Sequence, residues 1–225
     1  MKSHACSRLV VSIAVILVGF TTSALAGPPL ICHPFEIGQA KSLPWIDWNQ
    51  QGSGGYDLSH LTGDTLAILA SNRNVLVQME TLRRAGIYAR QDPQVARELL
   101  TRLHARAASA DAAGHSDALA WFDVGYLAET YKQWIGKGEP NPASSLDGYG
   151  WVKKAISLRG QDPEMEFAAA LITLTGSKDD YREHARKALE GAKADPLLAQ
   201  NVASHLDRRT VSEVFTDKSA GRIWK

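Results

Sequence analysis

Apolar residues recur at alternating steps of three and four along most of this chain from about residue 64 onward. Such spacing places apolar side chains on one face of an amphipathic α-helix. Two stripes show it, first Val75, Met79, Leu82, Gly86 and Ala89, then Ala96, Leu99, Leu100, Leu103 and Ala107. Residues 116–135 are apolar over more than one face, which predicts a helix enclosed by its neighbours. Helical spacing resumes at residues 151–158, 165–174, 181–192 and 197–206.

Residues 27–63 show neither helical nor strand periodicity. Prolines and the run Gly52-Ser53-Gly54-Gly55 interrupt this region, as is typical of loops and turns. Its apolar residues are too many for a solvated tail, and they include Ile31, Phe35, Ile37, Leu43, Trp45, Ile46 and Trp48. We therefore expect an extended N-terminal arm that packs along the helical body.

The first 26 residues have the features of a secretory signal peptide. Lys2 and Arg8 form a basic start, residues 9–20 are mostly apolar, and Ala24-Leu25-Ala26 is a small-x-small cleavage pattern. We expect cleavage after Ala26 and export to the periplasm or the extracellular space, without a stable membrane span. An uncleaved membrane anchor is the alternative. The predicted chain then consists of the arm at residues 27–63, a helical repeat domain at 64–207 and a C-terminal tail at 208–225.

A repeated dipeptide is the most specific pattern in the predicted helical domain. Asp-Pro occurs at Asp92-Pro93, Asp162-Pro163 and Asp195-Pro196, at offsets of 70 and 33 residues, and each copy is preceded by a basic residue, an alanine and six further residues. Asp can cap the free N–H groups at a helix start, and Pro fits the first helical position. Pro also disfavours helical geometry in the residue before it, so each copy predicts the end of one helix and the start of the next.

A period near 34 residues is typical of helix-turn-helix repeats. Trp121, Val124 and Gly125 fit the start of the W-x2-L-G pattern, although Ala128 stands where an aromatic residue is usual. This part of the chain, residues 75–206, resembles the tetratricopeptide repeat. The resemblance implies an all-α fold, a short α-solenoid of helix-turn-helix units with an extended N-terminal arm. An irregular helical bundle with coincidental Asp-Pro caps is the alternative.

Charge and cysteine content narrow the classes of function. The chain has 25 basic and 24 acidic residues, and loss of Lys2 and Arg8 with the signal peptide leaves it close to neutral. A near-neutral chain does not attract a polyanion, which argues against nucleic acid as the partner. Cleavage also removes Cys6, so Cys32 becomes the sole cysteine and no internal disulfide is expected.

Six residues are candidates for binding. Cys32 and His33 are the first place to look for reactivity, but neighbouring side chains in an extended segment point to opposite sides, and a buried cysteine is the alternative. Trp45, Trp48 and Tyr56 have the chemistry to stack on a sugar or grip a proline-rich peptide, or else they pin the arm to the helices. Trp121 lies on the repeat-like helix.

Arginines are dense in the first predicted helical hairpin, at Arg83, Arg84, Arg90, Arg97, Arg102 and Arg106. A solvated face is the expected arrangement, with binding of an anion or a carboxylate terminus as the alternative. No catalytic residue, metal site or cofactor is predicted, because the sequence contains no known catalytic, metal-binding or nucleotide-binding motif.

The sequence thus favours a non-catalytic module that binds a protein or peptide in the cell envelope. An enzyme or redox protein that uses Cys32 is the first alternative. The second is a structural accessory subunit that docks through its N-terminal arm, for which deletion of residues 27–60 would abolish assembly and leave the helical fold intact.

Overall fold

The computed structural model describes residues 27–45, 55–134 and 140–206, and all regular structure within these ranges is helical. A short 3-10 helix, Leu58–His60, leads into the first α-helix. The α-helices are α1 (Leu61–Ser71), α2 (Val75–Ala89), α3 (Pro93–Ala112), α4 (Ala118–Trp134), α5 (Gly148–Arg159), α6 (Pro163–Thr173), α7 (Lys178–Ala192) and α8 (Pro196–His205). The all-α prediction is confirmed, and the first helix begins at Leu61, before the predicted boundary at residue 64.

Helix α2 lies at the centre of the molecule. Every residue in it except Arg84 is buried, and it packs against α1, α3, α4 and α6. The sequence predicted an amphipathic helix with one buried face, and this is wrong for α2, because other elements cover it on all sides. Helix α3 does follow its predicted stripe, with Ala96, Leu99, Leu100, Leu103 and Ala107 buried.

A contact between α2 and α6 closes the helices into a compact arrangement. Glu164, in the first turn of α6, accepts hydrogen bonds at 3.0 Å from the backbone N–H of Val75 and at 2.9 Å from the side chain of Asn74. These groups belong to the start of α2, where backbone N–H groups have no partner within the helix. The Glu164 carboxylate therefore stabilises the N-terminus of α2. Burial raises the pKa of Glu164, and these two hydrogen bonds oppose that shift because they favour the ionised form.

A helix begins at each Asp-Pro pair. Asp92, Asp162 and Asp195 accept hydrogen bonds from the first backbone N–H groups of α3, α6 and α8. Three helices, α3 to α5, lie between the first and second pairs in the described part of the chain, whereas two lie between the second and third. A two-helix repeat would place an even number of helices between successive pairs, so a strict two-helix repeat does not run through the first interval.

Helices α4 and α5 approach each other closely at two glycines. A Cβ atom on Gly125 would lie 2.6 Å from the backbone oxygen of Gly148 and 3.0 Å from Val152. Residues 119–128 of α4 are all buried, which confirms the prediction of an enclosed helix there. This close approach leaves no room for a side chain at position 125.

Residues 27–45, which we call the arm segment, form no helix or strand and pack against the helices as expected. Leu30, Ile31, Phe35 and Leu43 are 0–3 % exposed and belong to the core. The predicted signal peptide, Trp48 and the predicted C-terminal tail lie outside the described residues. None of the helices described is both long and apolar enough to cross a membrane.

Candidate functional site

A charged network lies inside the molecule where α2 meets the arm segment. Glu80, Arg83 and Arg84 follow one another at helical spacing, and Glu80 and Arg83 have no exposed side-chain surface. Arg83 donates two hydrogen bonds to Glu80, at 2.7 and 3.0 Å, and Arg84 donates one at 2.6 Å. A buried charge is tolerated only when it is paired and hydrogen-bonded, and these three side chains supply that pairing to one another.

The same network binds backbone atoms of the arm segment. The N–H of Phe35 donates to Glu80 Oε2 at 3.0 Å. Arg83 Nη1 donates to the carbonyl oxygen of Ile31 at 3.0 Å, and Arg84 donates to that of Leu43. All three contacts use main-chain groups, so they do not depend on the identity of the side chains at these positions of the arm segment.

Further backbone contacts come from other helices and from the end of α2. Tyr88 donates to the carbonyl oxygen of Pro44 at 2.6 Å. Asn201 on α8 binds both main-chain groups of Glu36, accepting its N–H and donating to its carbonyl oxygen at 2.9 Å each. Gln133 at the end of α4 accepts the N–H of Leu30 at 3.0 Å. Three helices thus bind the backbone of one extended segment.

Apolar contacts anchor the arm segment between these polar ones. The ring of Phe35 stacks on His205 of α8, with centroids 4.6 Å apart, and meets Phe167 of α6 edge-on at 6.1 Å. We call the surface that contacts the arm segment the arm-binding face. It is formed by Glu80, Arg83, Arg84, Tyr88, Gln133, Phe167, Asn201 and His205. Helices α2, α4, α6 and α8 each contribute to it.

Cys32 and His33 lie on the arm segment beside this network. Cys32 is half-buried and not in a disulfide, and burial raises the pKa of its thiol although the nearby Arg83 opposes the shift. A raised pKa favours the thiol over the nucleophilic thiolate at neutral pH. The Nε2 atom of His33 is buried without a hydrogen-bond partner among the residues described. The structure records no contact that would make the two residues a catalytic pair.

Trp45 and Tyr56 both contact Tyr88. The ring centroid of Trp45 lies 6.4 Å from that of Tyr88 and 4.9 Å from the guanidinium carbon of Arg83. Tyr56 lies 4.7 Å from the Tyr88 ring and donates a hydrogen bond to Asp64 at 2.8 Å. These contacts hold the end of the arm segment and the start of the helical body against α2.

Trp121 is not part of the arm-binding face. Its indole N–H donates to Asp111 at 3.0 Å, and the Lys154 ammonium lies 3.7 Å from the centroid of its ring. The rings of Trp151 and His104 lie about 6.0 Å from it. Together with an ion pair between Lys154 and Asp111, these contacts join α3, α4 and α5.

A second polar cluster, which no sequence pattern predicted, joins α5, α6 and α7. Tyr149 Oη lies 2.7 Å from Nε2 of His184, whose Nδ1 is hydrogen-bonded to the buried Glu166. Although burial opposes it, hydrogen bonds from His184 and Lys187 hold the pKa of Glu166 below its usual value. Burial raises the pKa of Tyr149 to about 12, so its hydroxyl stays protonated and is a poor nucleophile. The cluster therefore stabilises the packing of three helices.

Two arginines of the first hairpin do not lie where the sequence predicted. Arg83 is fully buried and Arg84 is 18 % exposed, so the expectation of a solvated face is wrong for both. Glu80, which pairs with both arginines, is not part of any motif recognised in the sequence. One signal was present in the sequence: Glu80 is followed by Arg83 and Arg84 at steps of three and four, and opposite charges at this spacing form pairs along a helix.

A mostly apolar groove of about 280 Å³ lies between α7 and α8. It is lined by Leu189, Ala192, Lys193, Ala199, Val202 and Ala203. No cluster of three or more metal-binding side chains occurs in the described ranges. Of the sites described, the arm-binding face is the one that makes hydrogen bonds with the backbone of an extended segment, so it is the candidate functional site.

No family model matches the chain, and no curated protein or solved structure matches it either. The resemblance to the tetratricopeptide repeat thus rests on the sequence pattern alone.

Proposed function

We propose that this protein is an exported, non-catalytic helical module of the cell envelope that binds an extended protein or peptide segment on the arm-binding face. One observation carries the proposal: side chains of α2, α4 and α8 bind main-chain atoms of the arm segment at residues 30, 31, 35, 36, 43 and 44. In peptide recognition, main-chain hydrogen bonds supply affinity for any extended segment, and pockets for side chains supply specificity.

The α-solenoid interpretation belongs to the same proposal. Solenoids of helix pairs leave an inner surface free for extended partners, and in this interpretation the arm-binding face would be that surface. The Asp-Pro caps of α6 and α8, one helix pair apart, support a repeat in the second half. The contact between α2 and α6 and the three-helix interval are departures from that architecture.

The chemistry of the face defines which segment it would accept. An aromatic residue in the position of Phe35 would occupy the site between Phe167 and His205. Apolar residues would be needed in the positions of Leu30 and Leu43, which are both fully buried. An extended, mostly apolar segment with one central aromatic residue is therefore the expected partner.

The buried charges imply that a partner must replace the arm segment. Without it, Glu80 and Arg83 would each lose a hydrogen bond to the arm segment, which costs about 1–3 kcal/mol for a group that stays buried. An empty face is thus unfavourable, and the segment of this chain and a foreign segment compete for the same contacts.

An exchange experiment tests the proposal. A tethered segment has an effective concentration on the order of mM, so a protease site placed within residues 46–54 is cut first to remove this advantage. A fluorescent peptide with the sequence of residues 27–45 should then exchange into the protein, and unrelated extended apolar peptides should displace it in a saturable way, as measured by fluorescence anisotropy.

The matched control carries Ser42→Cys and Thr81→Cys, which link the arm segment covalently to α2. This variant should bind at least about tenfold less labelled peptide, since its face stays occupied. Equal binding by the two proteins would contradict the proposal. So would exchange of the labelled peptide that no unrelated peptide competes with, or no exchange at all.

The two alternatives are less well supported. An enzyme that uses Cys32 is disfavoured by the raised pKa of its thiol, and a Cys32→Ser variant with unchanged function would argue against it. Docking of the arm segment into another chain would compete with the contacts that it makes within its own chain.

A further inference from the structure

Two histidines meet where the arm segment contacts α6 and α8. His205, at the end of α8, is 3 % exposed, and its ring stacks on the Phe35 anchor of the arm segment. The edge of its ring faces Phe167, at 5.8 Å between centroids. The ring of His33, from the arm segment, lies 6.0 Å away at nearly a right angle. Titratable groups from the arm segment and from the helices thus share one buried contact.

The hydrogen bonds of His205 fit a neutral imidazole. Its Nδ1 lies 2.9 Å from the carbonyl oxygen of Asn201 and 2.9 Å from the hydroxyl of Ser204, and a proton on Nδ1 gives both oxygens a donor. A second proton would have to enter at Nε2, inside the contact with the arm segment. A charged imidazole is unfavourable in a buried apolar site, and Phe35 and Phe167 provide such a site.

The groups around His205 shift its pKa in both directions. Burial lowers its pKa and is the dominant effect, whereas hydrogen bonds to the backbone of Asn201 and of His33 favour the charged form. The His33 ring disfavours it, and the Glu80 carboxylate of α2 favours it. Arg83 and Arg84 already engage that carboxylate, and the side chain that α6 contributes to the ring contacts is the uncharged Phe167.

We propose that protonation of His205, next to His33, releases the arm segment from α6 and α8 in mild acid. This inference rests on the proposed function, because release exposes the α6 and α8 side of the arm-binding face to a partner while the contacts with α2 keep the rest of the arm segment docked. The sign follows from linkage: His205 binds protons less readily in the folded state than in the unfolded chain. Its contribution to docking is present above the unfolded value of about 6.5 and is lost as the pH falls below it.

Hydrogen exchange of the purified protein tests this inference without any partner. Protection of amides in residues 30–36, corrected for the intrinsic rate, should fall several-fold between pH 7.5 and 5.5, and a single group with an unfolded pKa of about 6.5 can account for a fall of up to about tenfold over this range. In His205→Gln the fall should be less than about twofold. His115→Gln is the matched control, since His115 is exposed between α3 and α4, and it should behave as the unmodified protein does.

A second variant keeps the test decisive if His205→Gln folds poorly. His205→Phe retains an aromatic ring against Phe35 and has no titratable nitrogen, so it should also lose the pH response. No change of protection in the unmodified protein, or the same fall in the folded His205 variant, would overturn the inference. Failure of foreign peptides to bind would contradict the proposed function and leave this result unaffected.

Discussion

Glu80 has no exposed side-chain surface and accepts hydrogen bonds from Arg83, from Arg84 and from the backbone of Phe35. Burying a carboxylate is unfavourable unless its partners compensate. Part of this compensation comes from the arm segment, through the N–H of Phe35, which lies 45 residues before Glu80 in the sequence. The stability of the helical core and the docking of the arm segment are therefore coupled through this side chain.

Replacing Glu80 by Gln should be strongly destabilising. The substitution keeps the size of the side chain but leaves Arg83 as a buried charge without its counter-ion, for which a loss of about 3–5 kcal/mol is expected. Urea unfolding followed by circular dichroism measures the free energy of unfolding. Glu98→Gln, at an exposed position of α3, is the control and should change it by less than about 0.5 kcal/mol. A loss below about 1 kcal/mol for Glu80→Gln would show that the network is not buried as described.

Among the helices, the sequence predicts the features that depend on residues close together in the chain. The caps of α3, α6 and α8 involve residues two or three positions apart, so the Asp-Pro pairs predict them directly. The stripe of α3 is also local, because one side of that helix faces the core and the other faces solvent. Both features follow from helix geometry alone.

Helix α2 and the arm-binding face required long-range information. Phe35 and Glu80 are 45 residues apart, and Glu36 and Asn201 are 165 apart. A periodicity argument describes one face of a helix and cannot tell which element will cover the other. Arg83 was therefore expected in solvent, although the carbonyl oxygen of Ile31 and the Glu80 carboxylate make its burial favourable.

The contact between α4 and α5 gives a prediction that reverses helix propensity. Ala is favoured over Gly in a helix by about 1 kcal/mol, yet Gly125→Ala should destabilise the protein by more than about 1 kcal/mol, because the added methyl overlaps the backbone of Gly148. A Cβ atom on Gly63, within α1, would meet nothing beyond its own helix within 4 Å. Gly63→Ala should therefore be neutral or stabilising by up to about 1 kcal/mol. Thermal unfolding of both variants checks this, and a stable Gly125→Ala would argue against close α4–α5 packing.

Within the molecule as a whole, the arm segment is part of the core. Leu30, Ile31, Phe35 and Leu43 are buried, and each such side chain contributes about 1.5–3 kcal/mol when fully buried. Their sum is comparable to the whole stability of a typical domain, about 5–15 kcal/mol. The helical body and the arm segment thus form one cooperative unit.

Deletion of residues 27–45 should therefore abolish cooperative unfolding. This differs from what the structural-subunit alternative predicts, in which the helical fold survives deletion of residues 27–60. Circular dichroism and calorimetry of the shortened protein measure the outcome. A sharp thermal transition within a few degrees of that of the full chain would mean that the arm segment is only a surface attachment.

Docking of the arm segment on α2 underlies both proposals, and a designed disulfide reports on it without any partner. Ser42 Oγ and Thr81 Oγ1 lie 3.0 Å apart, a separation from which two cysteines can reach disulfide geometry. With Cys6 and Cys32 replaced by Ser, the Ser42→Cys, Thr81→Cys protein should form an intrachain disulfide nearly completely under mild oxidation. Thiol titration and mass spectrometry of peptide fragments measure it. Two thiols that stay free, or that link only different chains, would show that the arm segment does not lie on α2.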